Sequence, residues 1–334
     1  MLFIPVNLPE KTVGLLAASK SAQSWNKGAS ALKCFENFDS QSQNIHNWPL
    51  SEDSVSEFIT WAVLEKELKA ATVKSYLSAI GIAHKFKNLD NSACHGFFAK
   101  QLLAGAENLE FYKTMTREAK KAMSLPILKI LGHQLAISGL ENNEVQTIWC
   151  ACVVAFFGSF RLGELLCYNE NKFNPSETLL WEDVKIRDDS VLINIKIPKN
   201  RYSKGEYVDL FEFNGHNCCP VNAMKALRLS KGTNLNLKSP VFCFNDGKLL
   251  TPKMLTARMH SLLLPRIGEV AYKLSGHSFR AGLPSVLSNN SQLASDEEIK
   301  LWGRWGSPSF KKYTRLHMNK RKAIFVKITS ALNK

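Results

Sequence analysis

The chain has 334 residues, 45% of them hydrophobic and 22% charged, which is enough to bury two ordinary cores and excludes a disordered or fibrous protein. Lys and Arg outnumber Asp and Glu by 43 to 29, giving a net charge of +14 and a pI near 9.4, a surplus that attracts polyanions. The longest apolar run, 148–157, is too short to span a bilayer, and residues 1–10 lack a basic signal-peptide start, so an intracellular soluble protein with no membrane partner is expected.

Residues 1–110 show helical periodicity. Trp25, Ala29, Leu32, Phe35 and Phe38 recur on one stripe. A second helix is expected from about Ser54, carrying Val55, Phe58, Ile59, Ala62, Val63 and Leu68. A third follows from Thr72 with Val73, Tyr76, Leu77, Ile80 and Ala83, and a fourth covers His95 to Ala106. Short amphipathic helices without a strand pattern predict a small helical bundle. A polar, basic linker is expected over 111–124, with Lys113, Arg117, Lys120 and Lys121.

The second domain, 125–334, opens with two expected helices, Pro126–Ser138 and Glu144–Cys167. Strand periodicity follows: Val191, Ile193, Ile195 and Ile197 alternate with Leu192, Asn194 and Lys196, as one buried sheet face requires. Glu206 to Phe213 predicts a second strand, with a polar turn at 200–205 between the two. Helices resume at Pro220–Leu229 and are expected to continue to the end. The expected fold is therefore mainly α: a helical bundle, then an α+β domain with one small antiparallel sheet. His216 and the Cys218–Cys219 pair form the only Cys/His cluster, and its spacing matches no zinc module. No metal is expected, and the eight cysteines are expected as free thiols, mostly buried.

Four features carry chemistry. Arg161 follows the apolar run almost directly, and a guanidinium there needs an anion; Glu164, one turn on, fits an internal ion pair. His277 and Arg280 share a face in the first turns of a helix that Ser275 can cap, which suits an anion, although a lone H-x-x-R is usually a surface feature. Ser295 and Glu298 form a capping box before Trp302. Gly303-Arg304-Trp305-Gly306 then turns the chain, and Ser307 with Pro308 opens a helix that carries Tyr313 between Lys312 and Arg315. The fourth feature is the basic turn holding Lys199, Arg201 and Lys204. Beyond Lys311 the chain has eight Lys or Arg, Lys311 included, and no acid, which fits either a solvated tail or a phosphate-binding one.

Taken in order, Arg, turn Lys, His-x-x-Arg, Trp and Tyr resemble the catalytic signature of the tyrosine recombinases, phage integrases among them, over about 125–334. The strings at 159–165, 277–282 and 303–307 look closest to recombinases of Crypton and DIRS-type mobile elements. The resemblance implies a core-binding, SAM-like helical domain before the catalytic one, with double-stranded DNA as partner, a tetramer on DNA and no cofactor. It implies a nuclear location if the host is eukaryotic. It further implies that Arg161 and Arg280 clamp the scissile phosphate and that His277 and Trp305 complete its cradle. Lys199 would be the general acid, with Arg201 and Lys204 as alternatives, Tyr313 the nucleophile, and Glu164 a support for Arg161. The residue types suit phosphoryl transfer. Forked guanidiniums hold the non-bridging oxygens, positive neighbours favour the phenolate, and a lysine protonates the leaving oxygen. Two departures stand out: Arg304 occupies the place nine before Tyr313 where the family often has His or Trp, and Pro284 lies one turn after Arg280. The rival readings are a type IB topoisomerase, a non-cleaving DNA-binding derivative and a basic scaffold without chemistry.

Overall fold

The computed structural model describes residues 8–20, 22–42, 46–114, 121–196, 206–212, 217–289 and 294–305. The chain divides into two units, Met1–Glu118 and Ala119–Lys334.

The described part of the first unit is helical: α1 (Glu10–Ala18), α2 (Ala22–Asp39), α3 (Glu52–Leu64), α4 (Ala70–Phe86) and α5 (Phe97–Thr114). The expected stripes are its inner faces. Val55, Phe58, Ile59 and Ala62 of α3 and Val73, Leu77, Ile80 and Ala83 of α4 are all buried. They meet an aromatic knot in which Phe58 lies 5.3 Å from Phe35 and 5.6 Å from Phe38, centroid to centroid. Helix α3 begins before Ser54 because Ser51 caps it, accepting the Ser54 N–H at 3.1 Å. Helix α1 left no mark in the apolar pattern because it buries no residue. His84 is fully buried, and its Nε2 accepts the Leu50 N–H at 3.0 Å while Nδ1 faces the Ile80 carbonyl at 2.9 Å. A neutral ring protonated at Nδ1 satisfies both and ties the segment before α3 to α4.

The described part of the second unit comprises α6 (Leu125–Ala136), α7 (Asn142–Phe157), α8 (Leu162–Leu165), β1 (Val184–Ile186), β2 (Ser190–Ile195), β3 (Glu206–Phe211), α9 (Pro220–Ser230), α10 (Pro252–Ile267), α11 (Gly276–Asn289) and α12 (Asp296–Trp302). Its core is built around α7, apolar on all sides from Cys150 to Phe156 because α6, α9 and α11 surround it. The strands form one antiparallel sheet in the order β1-β2-β3, with Ile193 opposite both Val184 and Val208. Val191, Ile193 and Ile195 are buried, as the alternation predicts. The mainly helical fold with a small antiparallel sheet is thus observed.

Helix α5 runs to Thr114, and Met123 is fully buried, its N–H donating to the Ser278 carbonyl at 2.9 Å. Two expectations change. The helix expected over Glu144–Cys167 breaks after Phe157, for reasons given below. Helices are not continuous after Leu229: residues 233–251 form irregular structure held by the bridges Leu180–Pro240 and Cys243–Leu249. Pro284 does not end α11, which continues to Asn289; the Ser285 hydroxyl donates to the Ala281 carbonyl there at 2.6 Å. None of the eight cysteines is joined in a disulfide.

Candidate active site

Two helix ends of the same design build the site. At the end of α7 the Phe160 N–H donates to the Ala155 carbonyl at 3.0 Å and the Ser159 N–H to the Phe156 carbonyl at 3.3 Å. At the end of α12 the Trp305 N–H donates to Lys300 at 3.1 Å and the Arg304 N–H to Leu301 at 3.0 Å. Both are Schellman turns, whose left-handed residue is usually glycine. Here it is Ser159 (φ 48°) and Arg304 (φ 54°), at a strain of about 1–2 kcal/mol each. The glycine stands one place earlier in each case, because the following aromatic folds back over it. A Cβ on Gly158 would lie 2.1 Å from the Phe160 ring, and one on Gly303 would lie 1.8 Å from the Trp305 ring. The Ser159 turn splits the expected long helix and turns the chain so that Arg161 starts α8.

The two turns are pinned together by side chains. The last carbonyls of an α-helix have no partner within it. At the end of α7, Phe157 accepts from Trp302 Nε1 at 2.9 Å, Gly158 from Arg304 Nη1 at 2.8 Å and Ser159 from Arg280 Nη1 at 2.8 Å. Two of the three donors are cations, which the negative end of the helix dipole favours. Arg280 reaches the other turn as well, donating Nη2 to the Gly303 carbonyl at 2.8 Å, with its guanidinium 5.1 Å from the Trp305 ring centroid. Its residue exposure is 2%. These contacts are what make so buried a cation tolerable.

Glu164 is the anion at the centre. Its Oε1 accepts from Arg161 Nη1 at 2.6 Å, and its Oε2 accepts the Arg161 backbone N–H and Arg304 Nη2, both at 2.9 Å. Arg280 Nη1 lies 3.9 Å from the same Oε2. A second carboxylate, Glu206 at the start of β3, lies 3.5 Å from Arg304 Nε. Among the described residues three guanidiniums therefore face two carboxylates, in a poorly solvated corner where charge acts strongly. Burial pushes the Arg304 guanidinium below its ordinary value, and Glu164 and Glu206 oppose the shift. The Arg161 side chain is the most open of the three, 30% exposed against 2% for Arg280 and 9% for Arg304.

The structure thus brings together Arg161, Glu164, Arg280 and Trp305. His277 lies at the exposed surface at the start of α11, one turn before Arg280. Lys199 and Tyr313, with the alternatives Arg201 and Lys204, lie outside the described residues, as do His216 and the basic segment 311–334. Ser275 stands just before α11 as expected, but the bond there runs from its N–H to the Ser278 hydroxyl at 2.8 Å. Ser295 and Glu298 form the expected capping box. The anion pairing of Arg161 with Glu164 is present, but as part of a larger network. Sequence reasoning passed over Arg304 and Glu206 as network members. The available signal was an arginine between a glycine and a tryptophan, a turn too apolar to leave such a cation solvated.

Among the described residues a helical unit is followed by a helical unit with a small antiparallel sheet, a fold shared with solved structures of tyrosine recombinases and integrases. Among solved structures it is similar to the Tn1549 transposon integrase in complex with transposon right-end DNA, with a TM-score of 0.63 and 10% identity over 93% of this chain and 95% of that one. It is also similar to the XerH site-specific recombinase bound to difH substrate (TM-score 0.59, 14% identity, 94% and 82% of the two chains) and to a lambda integrase dimer bound to a core site (TM-score 0.53, 12% identity, 92% and 75%). No protein-family model and no curated protein matches the sequence.

Proposed function

We propose that this chain is a site-specific DNA recombinase or integrase that cleaves and rejoins strands through a covalent 3′-phosphotyrosine. The observation that carries the reading is the meeting of Arg161 and Arg280, distant in sequence, on the single carboxylate of Glu164. A scissile phosphate placed against that corner would meet the partly open guanidinium of Arg161, with the buried charge of Arg280 behind it, and positive charge there favours a phosphorane-like transition state.

In this reading the phenolate of Tyr313 attacks the phosphorus, and the bond to the 5′ oxygen breaks as Lys199 gives that oxygen a proton. Arg161 and Arg280 hold the non-bridging oxygens, His277 and Trp305 complete the cradle, and Glu164 keeps Arg161 in place. Rejoining reverses the step, with the 5′ hydroxyl displacing the tyrosine, so neither a nucleotide nor a metal enters the balance. Residues 1–110 act as a core-binding domain on double-stranded DNA and 125–334 as the catalytic domain. Recombination between two duplexes needs four such sites, hence a tetramer. The resemblance of 159–165, 277–282 and 303–307 to Crypton and DIRS-type recombinases supports a mobile-element origin, and in a eukaryotic host the protein works in the nucleus.

The test is a duplex nicked close to the cleavage point, from which the cut fragment diffuses away. Wild type becomes trapped on the DNA and Tyr313→Phe binds without trapping, with binding that weakens steeply as salt rises. Trapping by the phenylalanine variant, or none by wild type on any terminal sequence of its element, overturns the reading.

A further inference from the structure

We infer that Arg304 is a positioning residue of the phosphate clamp, acting through Glu164 rather than on the phosphate. The inference rests on the recombinase reading and deepens it. Arg304 holds the Glu164 carboxylate beside the Arg161 backbone N–H: Nη2 donates to Oε2 at 2.9 Å while Oε1 remains for Arg161 Nη1 at 2.6 Å. The fork of Arg304 is itself fixed at one further point, the Gly158 carbonyl at 2.8 Å, while Glu206 lies within ion-pair distance of Nε at 3.5 Å without a hydrogen bond. Its face lies 4.7 Å from the Phe160 ring centroid. With its side chain only 9% exposed and these partners on separate sides, the guanidinium is committed to holding the network.

The geometry also accounts for the left-handed backbone at a non-glycine residue. Glycine at 304 would relieve the φ of 54° but would leave the Gly158 carbonyl and Glu164 without this donor. The turn keeps an arginine against its backbone preference, and local strain of this kind persists only where surrounding contacts impose it. A lysine would keep the charge but not the planar fork, so one ammonium cannot serve Gly158, Glu164 and Glu206 together.

The experiment measures single-turnover trapping on the nicked duplex, and then on the same duplex with a neutral methylphosphonate at the scissile position. The neutral linkage removes the charge that the clamp must neutralise, so a fault in the clamp matters less there. Arg304→Lys is expected to trap ~10²-fold more slowly on the phosphodiester, the scale of a displaced catalytic group, with unchanged DNA affinity. Its deficit against wild type shrinks by about tenfold or more on the methylphosphonate, the equivalent of one charge-assisted hydrogen bond. Glu206→Gln, a change at a partly exposed residue, shows a smaller deficit with the same narrowing, and it carries the test if Arg304→Lys does not fold. A normal trapping rate in both variants overturns the inference. So does a deficit equal on both substrates, which marks a merely structural role, or a parallel loss of DNA affinity, which marks a direct DNA contact. Failure of wild type to trap at all is a different result, and it overturns the recombinase reading together with this one.

Discussion

Glu164 holds Arg161 at both ends, one carboxylate oxygen taking its backbone N–H at 2.9 Å and the other its guanidinium at 2.6 Å. The first bond makes Glu164 an N3 residue reaching back to the start of α8, and the second fixes the side chain that begins there. Glu164→Gln keeps the shape and removes the charge, leaving three guanidiniums around one remaining carboxylate. Breaking a buried ion pair from one side costs about 3–5 kcal/mol, and a loss near the lower figure is expected because Arg161 is partly open to water. Denaturant unfolding measures it, and trapping on nicked DNA should fall with it.

Arg280 spans two carbonyls, Ser159 and Gly303, that belong to different helix ends. In Arg280→Lys a single nitrogen reaches one of them. An unsatisfied buried carbonyl costs about 1–3 kcal/mol, so the unfolding free energy from denaturant titration should drop by that much. Equal stability in the lysine variant would mean that the two turns are held by other contacts.

Two glycine substitutions separate packing from propensity. A Cβ on Gly282, two residues after Arg280, would lie 2.5 Å from the Phe156 ring and 2.9 Å from the Met123 carbonyl. Gly282→Ala is expected to destabilise by about 1–3 kcal/mol, as overpacking does. Gly105 lies within α5, and a Cβ there meets nothing within 4 Å. Gly105→Ala should stabilise by about 1 kcal/mol through helix propensity alone. Thermal unfolding of the two variants reads both signs.

Burial pushes the Cys94 thiol up to about 11 from an ordinary 9.0, and the charge of Asp90 acts in the same direction. The folded state therefore keeps a proton that the unfolded chain gives up first. The stability this contributes is fully present below pH 9 and is lost as pH rises towards about 11. Wild type should lose stability across that window more steeply than Cys94→Ala, and equal slopes in melting curves would contradict it. Thiol-specific labelling of Cys94 in the native protein should stay slow until the same range.

Helical periodicity announced α2 to α5 and the alternation at 191–195 announced β2, because both patterns arise from one buried face and survive in a local stretch of sequence. The capping box at Ser295 and Glu298 was legible for the same reason: its partners are three residues apart. Arg161 and Glu164 could be paired from sequence, and Arg280 could be marked as a cation in want of an anion. What the sequence by itself determined is this set of local elements and residue types. Only the tertiary structure decided that α7 ends in a left-handed serine. It also decided that this turn packs on a matching one at Arg304, and that the carbonyls of each are answered by side chains from the other or from α11. Those bonds join residues 121 to 146 positions apart. No periodicity encodes such pairs, because they exist only once a core has brought two helix ends to hydrogen-bonding distance.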